Sequence, residues 1–154
     1  MSGARHRYRA DCAWSGSTAV GYDHYDRAHT LRCPPADTEL QLSGDAAFLG
    51  DPSRLNPEQL LVAAAVSCQL LSFLSVAARA RIDVVAYEDS AEADMPEDVT
   101  PRRITEIRLR PRITVAAGTR PEKVQRLVAL AHQECYIANS VTTTIVIDAT
   151  VHHT

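Results

Sequence analysis

The chain lacks a single-sign charge field, an apolar leader segment and any closely spaced pair of cysteines, and each absence removes a class of function. Sixteen basic and nineteen acidic residues are interspersed and leave a formal charge of -3, so neither nucleic acid nor an anionic membrane is an expected partner. The opening residues Met1-Ser2-Gly3-Ala4-Arg5-His6-Arg7-Tyr8-Arg9 are basic and polar, with no apolar stretch behind them. That pattern predicts a chain that stays in the cytosol. Four cysteines, Cys12, Cys33, Cys68 and Cys135, are too few and too scattered for a disulfide scaffold. In a reducing compartment they are expected to be buried, metal-binding or catalytic. Internal repeats, linkers and low-complexity tracts are also missing. With 45% hydrophobic content, the whole of residues 1–154 reads as one globular domain with its own core.

What is present is a succession of short strand signals around two helices. Residues 5–14 alternate loosely and meet Ser15-Gly16-Ser17, a strand and a turn. Val20 to Asp26 and His29 to Cys33 read as the next strands, stopped by Pro34-Pro35. Leu40-Gln41-Leu42 is a short strand within loop. At Asn56 the signals change together: an N-cap residue, Pro57 at the first helical position and Glu58 at the positive end of the dipole. The helix that follows is apolar on every face through Ala77, which predicts a central element enclosed by protein or by lipid. Its length is near the ~20 residues of a membrane span. Two glutamines, three serines and many alanines between Gln59 and Ala78 argue instead for a soluble core helix. Ile82 to Ala93 and Arg103 to Val115 read as an antiparallel hairpin, bent at Pro111. A helix from Pro121 to about Cys135 and a β-branched strand from Val141 to Val151 complete the order, which predicts an α+β fold.

Cys68 lies in the middle of the apolar helix, and Cys135 ends the second one. Either could be a small hydrophobe filling a gap. As a pair they point to redox work on a dithiol. A reactive thiol must be a thiolate, and no cation lies between Glu58 and Ala78 to favour one. An activating Arg would have to come from elsewhere in the fold or from a second subunit, with Arg27, Arg32 and Arg54 available ahead of the helix. Glu58 stands ten residues before Cys68, about 15 Å along the axis. It is either a simple first-turn charge or, in an antiparallel helix pair between two subunits, a carboxylate able to hold an Arg over the partner's sulfur.

Asn56-Pro57-Glu58-Gln59-Leu60-Leu61, the small-residue run to Cys68 and the second cysteine at the end of the last helix together resemble the OsmC/Ohr family of thiol-dependent hydroperoxide reductases. The resemblance extends along nearly the whole chain in the order of elements. It implies an OsmC-like fold of antiparallel sheets wrapped around a long buried central helix, built as an intertwined homodimer with its sites at the interface. It implies that Cys68 is the peroxidatic thiolate, Cys135 the resolving thiol, and Glu58 the carboxylate that orients an active-site Arg. The family's Arg comes from the N-terminal strand region and falls on Arg27, with Arg54 the second candidate. Two positions depart from the family pattern: Tyr136 where a Pro is frequent, and Gln69 where a larger aromatic is common.

The implied chemistry needs no cofactor. An organic hydroperoxide would oxidise Cys68 to a sulfenic acid, Cys135 would condense with it to a disulfide, and an external lipoyl-type dithiol would reduce that disulfide. Other readings stand beside it. Cys68, His132 and Cys135 could ligate a metal, although zinc-type CxxC pairs are lacking. A Cys–His hydrolase is another. The last is a non-catalytic homodimer of the same fold that binds a small molecule or serves structure.

Overall fold

The computed structural model describes residues 3–154, so the first two residues of the polar opening stretch lie outside it. The contacts gather into two compact units, one ending at Leu60 and the other comprising Leu61–Thr154.

The first unit carries a three-stranded antiparallel sheet of β1 (Asp11–Ala13), β2 (His29–Arg32) and β3 (Glu39–Leu42) in that order. Cys12 faces Leu31 and His29 faces Leu42 in the register. Of the strand expected over residues 5–14, only the end forms. The strand expected from Val20 to Asp26 is instead a chain of turns. Gly21 there adopts φ 96°, a conformation that glycine reaches without strain. Arg27 donates to the carbonyls of Tyr25 and Tyr22 at 2.9 and 2.8 Å, taking acceptors that a strand ladder would need. After β3, Gly50 crosses so close to Gly44 that a side chain at Gly50 would overlap the Gly44 carbonyl. That crossing returns Leu55 beside Leu42, with Ser43 N–H donating to the Leu55 carbonyl at 2.9 Å.

The chain then enters α1 (Pro57–Arg79). Asn56 Oδ1 accepts the Gln59 N–H at 2.8 Å while Gln59 Oε1 accepts the Asn56 N–H at 3.0 Å. This reciprocal capping box satisfies two donors that a helix start leaves unpaired. At the other end Ile82 N–H reaches the Ala77 carbonyl and Arg81 N–H the Ala78 carbonyl. This is a Schellman closure, with Arg81 in the left-handed region at φ 56°.

In the second unit the expected hairpin forms but is broken in the middle. β4 (Val84–Glu88) pairs antiparallel with β7 (Arg112–Val115), and β5 (Glu92–Asp94) with β6 (Glu106–Leu109). The break falls at Arg110-Pro111, where proline has no N–H to give and the Arg110 N–H is taken by Asp89 Oδ1 at 2.8 Å. The final strand is likewise two, β8 (Thr144–Ile147) and β9 (Thr150–His153). They run parallel to β6 and β7, so the sheets are mixed and not the antiparallel set expected. The parallel direction follows from α2 (Pro121–Glu134), which carries the chain back between β7 and β8 as a crossover.

Inward residues of these strands build two clusters. Ile113 and Val115 join Phe73, Val76 and Ala77 of α1 and Val124, Val128 and Ala131 of α2. Ile107 and Leu109 join Ala65 and Ile104. The enclosure expected of α1 is partial within one chain. The helix is long and apolar enough to cross a membrane by length and composition, yet in one chain it is buried only along Ala65, Gln69, Phe73, Val76 and Ala77. Ala63, Ser67, Leu71, Leu74 and Ala78 are exposed, Leu71 to 63%. In the second unit, inward residues of the strands and of α2 pack along that stripe, and the residues on the other side of α1 stay exposed.

Candidate active site

The structure brings Cys68 and Cys135 together. Cys68 is half-buried on α1 and Cys135 is buried at the C-cap of α2; both are free thiols. Cys135 leaves helical geometry with ψ 112°, and the chain turns tightly behind it. Asn139 N–H donates to the Cys135 carbonyl at 3.0 Å, and a 3-10 turn covers Ala138–Ser140. This turn presents backbone donors to the sulfur: the Ile137 N–H meets Cys68 Sγ at 3.5 Å.

The two thiols are shifted in opposite directions. Burial pushes Cys68 up, but the Ile137 N–H, the Cys135 thiol, the Tyr136 N–H and the Ser72 hydroxyl all favour its anion, and the net effect holds it below the ordinary thiol range. Cys135 is pushed up, chiefly by burial, which outweighs the opposing pull of the Ala138 N–H; the Cys68 sulfur beside it adds to the rise and the Ile137 N–H takes a little from it. The pair therefore loses its first proton toward Cys68. None of the groups acting on Cys68 is a cation. Among the described residues of one chain, the groups that favour the Cys68 anion are neutral donors.

Ser72, one helical turn beyond Cys68, was missed in the sequence although its i+4 spacing puts it on the same face. The Tyr136 and Ile137 N–H groups were missed for a different reason, since a backbone donor leaves no mark in a residue type. Tyr136 itself points outward, 80% exposed.

Gln69, the other departure from the family pattern, is 1% exposed. Its Nε2 donates to the Val128 carbonyl of α2 at 3.3 Å, and its Oε1 is buried without a partner. An unpaired buried carbonyl of this kind costs about 1–3 kcal/mol. Arg79 and Glu134, the last residues of α1 and α2, form an exposed ion pair at 2.6 Å.

Glu58 and Arg27 belong to the first unit. Glu58 is half-buried in the first turn of α1. Arg27 is not the solvated surface residue that an Arg is by default. Its guanidinium stacks over the Tyr25 ring at 3.9 Å and lies 5.0 Å from the Tyr22 centroid. It lines a cavity of about 520 Å³ with Cys12, Trp14, Tyr22, Tyr25 and His29. Arg54 is engaged differently, bonded to Gln41 Oε1 at 3.0 Å and paired with Asp51 at 3.5 Å. Among the described residues, no group of three or more His, Cys, Asp or Glu is placed to hold a metal ion. His132, one of the three ligands weighed for a metal, has its Nδ1 buried without a hydrogen-bond partner.

Comparison with known proteins gives a consistent fold. The profile of a family described as OsmC-like protein matches residues 50–150. An OsmC-like protein of unknown function from Vibrio cholerae is 28% identical, with a TM-score of 0.85 over 95% of this chain and 100% of its own. An organic hydroperoxide resistance protein from Legionella pneumophila is 20% identical, with a TM-score of 0.71 over 97% and 99%. One from Elizabethkingia anophelis is 19% identical, with a TM-score of 0.74 over 98% and 99%. The last two likenesses are of fold. No curated protein sequence matches the chain.

Proposed function

The chain belongs to the OsmC-like protein family, and on that premise we propose that it is a thiol-dependent peroxidase that reduces organic hydroperoxides to alcohols. The observation that carries the reading is the opposed pair, a Cys68 held below the thiol range beside a Cys135 held above it. The names of the Legionella and Elizabethkingia proteins of the same fold, organic hydroperoxide resistance proteins, favour it.

In this reading the Cys68 thiolate attacks the terminal oxygen of the hydroperoxide. The O–O bond breaks, the alkoxide leaves as the alcohol with a proton, and Cys68 becomes a sulfenic acid. Arg27 stabilises the departing oxygen and Glu58 orients Arg27. The Cys135 thiol then attacks the oxidised sulfur, water leaves and a disulfide forms. A lipoyl-type dithiol reduces that disulfide by exchange and is itself oxidised. Keeping Cys135 protonated until this step suits a resolving thiol, because it leaves the first attack to Cys68 alone.

The working form is a homodimer in the cytoplasm. The exposed Leu71 and Leu74 face of α1 supports it, as does the first unit, where Trp14, Val20, Tyr22, Leu49 and Leu55 are exposed while Leu42, Ser43 and Asn56 are buried. The test is hydroperoxide consumption with dihydrolipoamide as reductant. Cys68→Ser abolishes turnover. Cys135→Ser consumes one equivalent and stops, with a sulfenic acid at Cys68 that dimedone traps. Unchanged turnover in Cys68→Ser overturns the proposal.

A further inference from the structure

The mechanism above uses the residue before Gln69 and leaves Gln69 itself unexplained. Gln69 occupies the buried stripe of α1 between Ala65 and Phe73, where every other member is apolar. A methionine or leucine would fill nearly the same space without burying an unpaired carbonyl oxygen. Its amide is therefore not retained for core stability. What the amide adds is direction: its Nε2 bonds the Val128 carbonyl at 3.3 Å and ties α1 to α2. Val128 lies seven residues before Cys135, about two turns of α2. Otherwise the two helices meet through a shared apolar core, in which Phe73, Val76 and Ala77 of α1 and Val124, Val128 and Ala131 of α2 gather with Ile113 and Val115 of β7, and apolar contact of that kind has no direction.

We infer that Gln69 is the positioning residue that fixes the register of α1 against α2 and thereby holds Cys135 within reach of Cys68. The inference rests on the reading of these cysteines as a redox pair. The other attachments are weaker for this purpose. The Ile137 N–H bond at Sγ is strongest while the sulfur is anionic and weakens once it becomes a neutral sulfenic acid. The Arg79–Glu134 pair is exposed at both side chains and contributes little. The Gln69 bond involves neither sulfur, so a change in the charge of Cys68 does not remove its donor or its acceptor.

The decisive experiment contains no peroxide, so it fails or succeeds apart from the peroxidase assignment. In a Cys12→Ser, Cys33→Ser background the protein is equilibrated with glutathione and glutathione disulfide. Two protein thiols are oxidised to the Cys68–Cys135 disulfide as one glutathione disulfide is reduced to two glutathiones. Gln69→Met is expected to lower the equilibrium constant by about tenfold, equivalent to about 30 mV. Its reduced form should melt at the same temperature as the parent or higher. Gln69→Asn, which keeps an amide but shortens its reach, should lower the constant likewise. Alkylation of Cys68 by iodoacetamide in a Cys135→Ser background should be unaffected by Gln69→Met, because that reaction does not need the second thiol. An equilibrium constant in Gln69→Met within twofold of the parent overturns the inference. So does a fall that merely tracks lost thermal stability, or loss of fold in both variants, since either makes Gln69 an ordinary core residue.

Discussion

At Cys68 the penalty of partial burial is outweighed by several neutral donors, of which Ser72 is the only one besides Cys135 that a substitution can remove. The sign of the consequence is fixed. The thiolate is the nucleophile, so alkylation by iodoacetamide rises with pH through the Cys68 midpoint, which lies below that of an ordinary thiol. Ser72→Ala deletes the weakest of the donors that favour the anion, so it moves the midpoint up slightly and lowers the rate at pH below that midpoint by a modest factor. A profile in Ser72→Ala that coincides with the parent's would show that the hydroxyl contributes nothing. The two cysteines were legible in the sequence because a thiol in an apolar helix and another at a helix end are unusual placements for that side chain. Their approach was expected only through the family resemblance, and the donors around Cys68 were not legible, since the turn at Tyr136 and Ile137 contributes through main-chain atoms.

Both helices were legible at the level of the element, each starting where Pro57 or Pro121 supplies a preset φ with no N–H to satisfy, followed by Glu58 or Glu122 at the positive end. The Asn56–Gln59 capping box makes the α1 start the more specified of the two, whereas Arg120 at the α2 N-cap gives no side-chain bond. Asn56→Ala is expected to cost about 1 kcal/mol, read as a lower thermal midpoint by calorimetry with the helical circular dichroism of the folded state retained. The strands were read less well. Val20 to Asp26 has strand-like composition but surrenders its carbonyls to Arg27. The Ile82–Ala93 and Val141–Val151 segments are each two strands, because the bend forced at Pro111 passes to the neighbours on both sides, Asp89 at one and Asp148–Ala149 at the other.

For the whole molecule the issue is what covers α1. Its apolar composition on all faces predicted enclosure, and one chain encloses a single stripe. A second copy laid against Leu71 and Leu74 would bury the rest, so Leu71→Glu, which would place a charge in that contact, is expected to shift the protein from dimer to monomer in sedimentation velocity. A parent that sediments as a monomer at micromolar concentration removes the dimer from the proposal. The sequence by itself determined the helix boundaries, the α+β class, the two sulfur atoms and the family, all properties written in local chemistry or in short motifs. The tertiary structure alone decided the parallel pairing of β8 and β9, the one-sided burial of α1, the aromatic housing of Arg27 and the tie from Gln69 to Val128. Those depend on which backbone groups and faces meet across long stretches of chain, and such meetings are set by the packing of the whole and not by the identity of any residue in it.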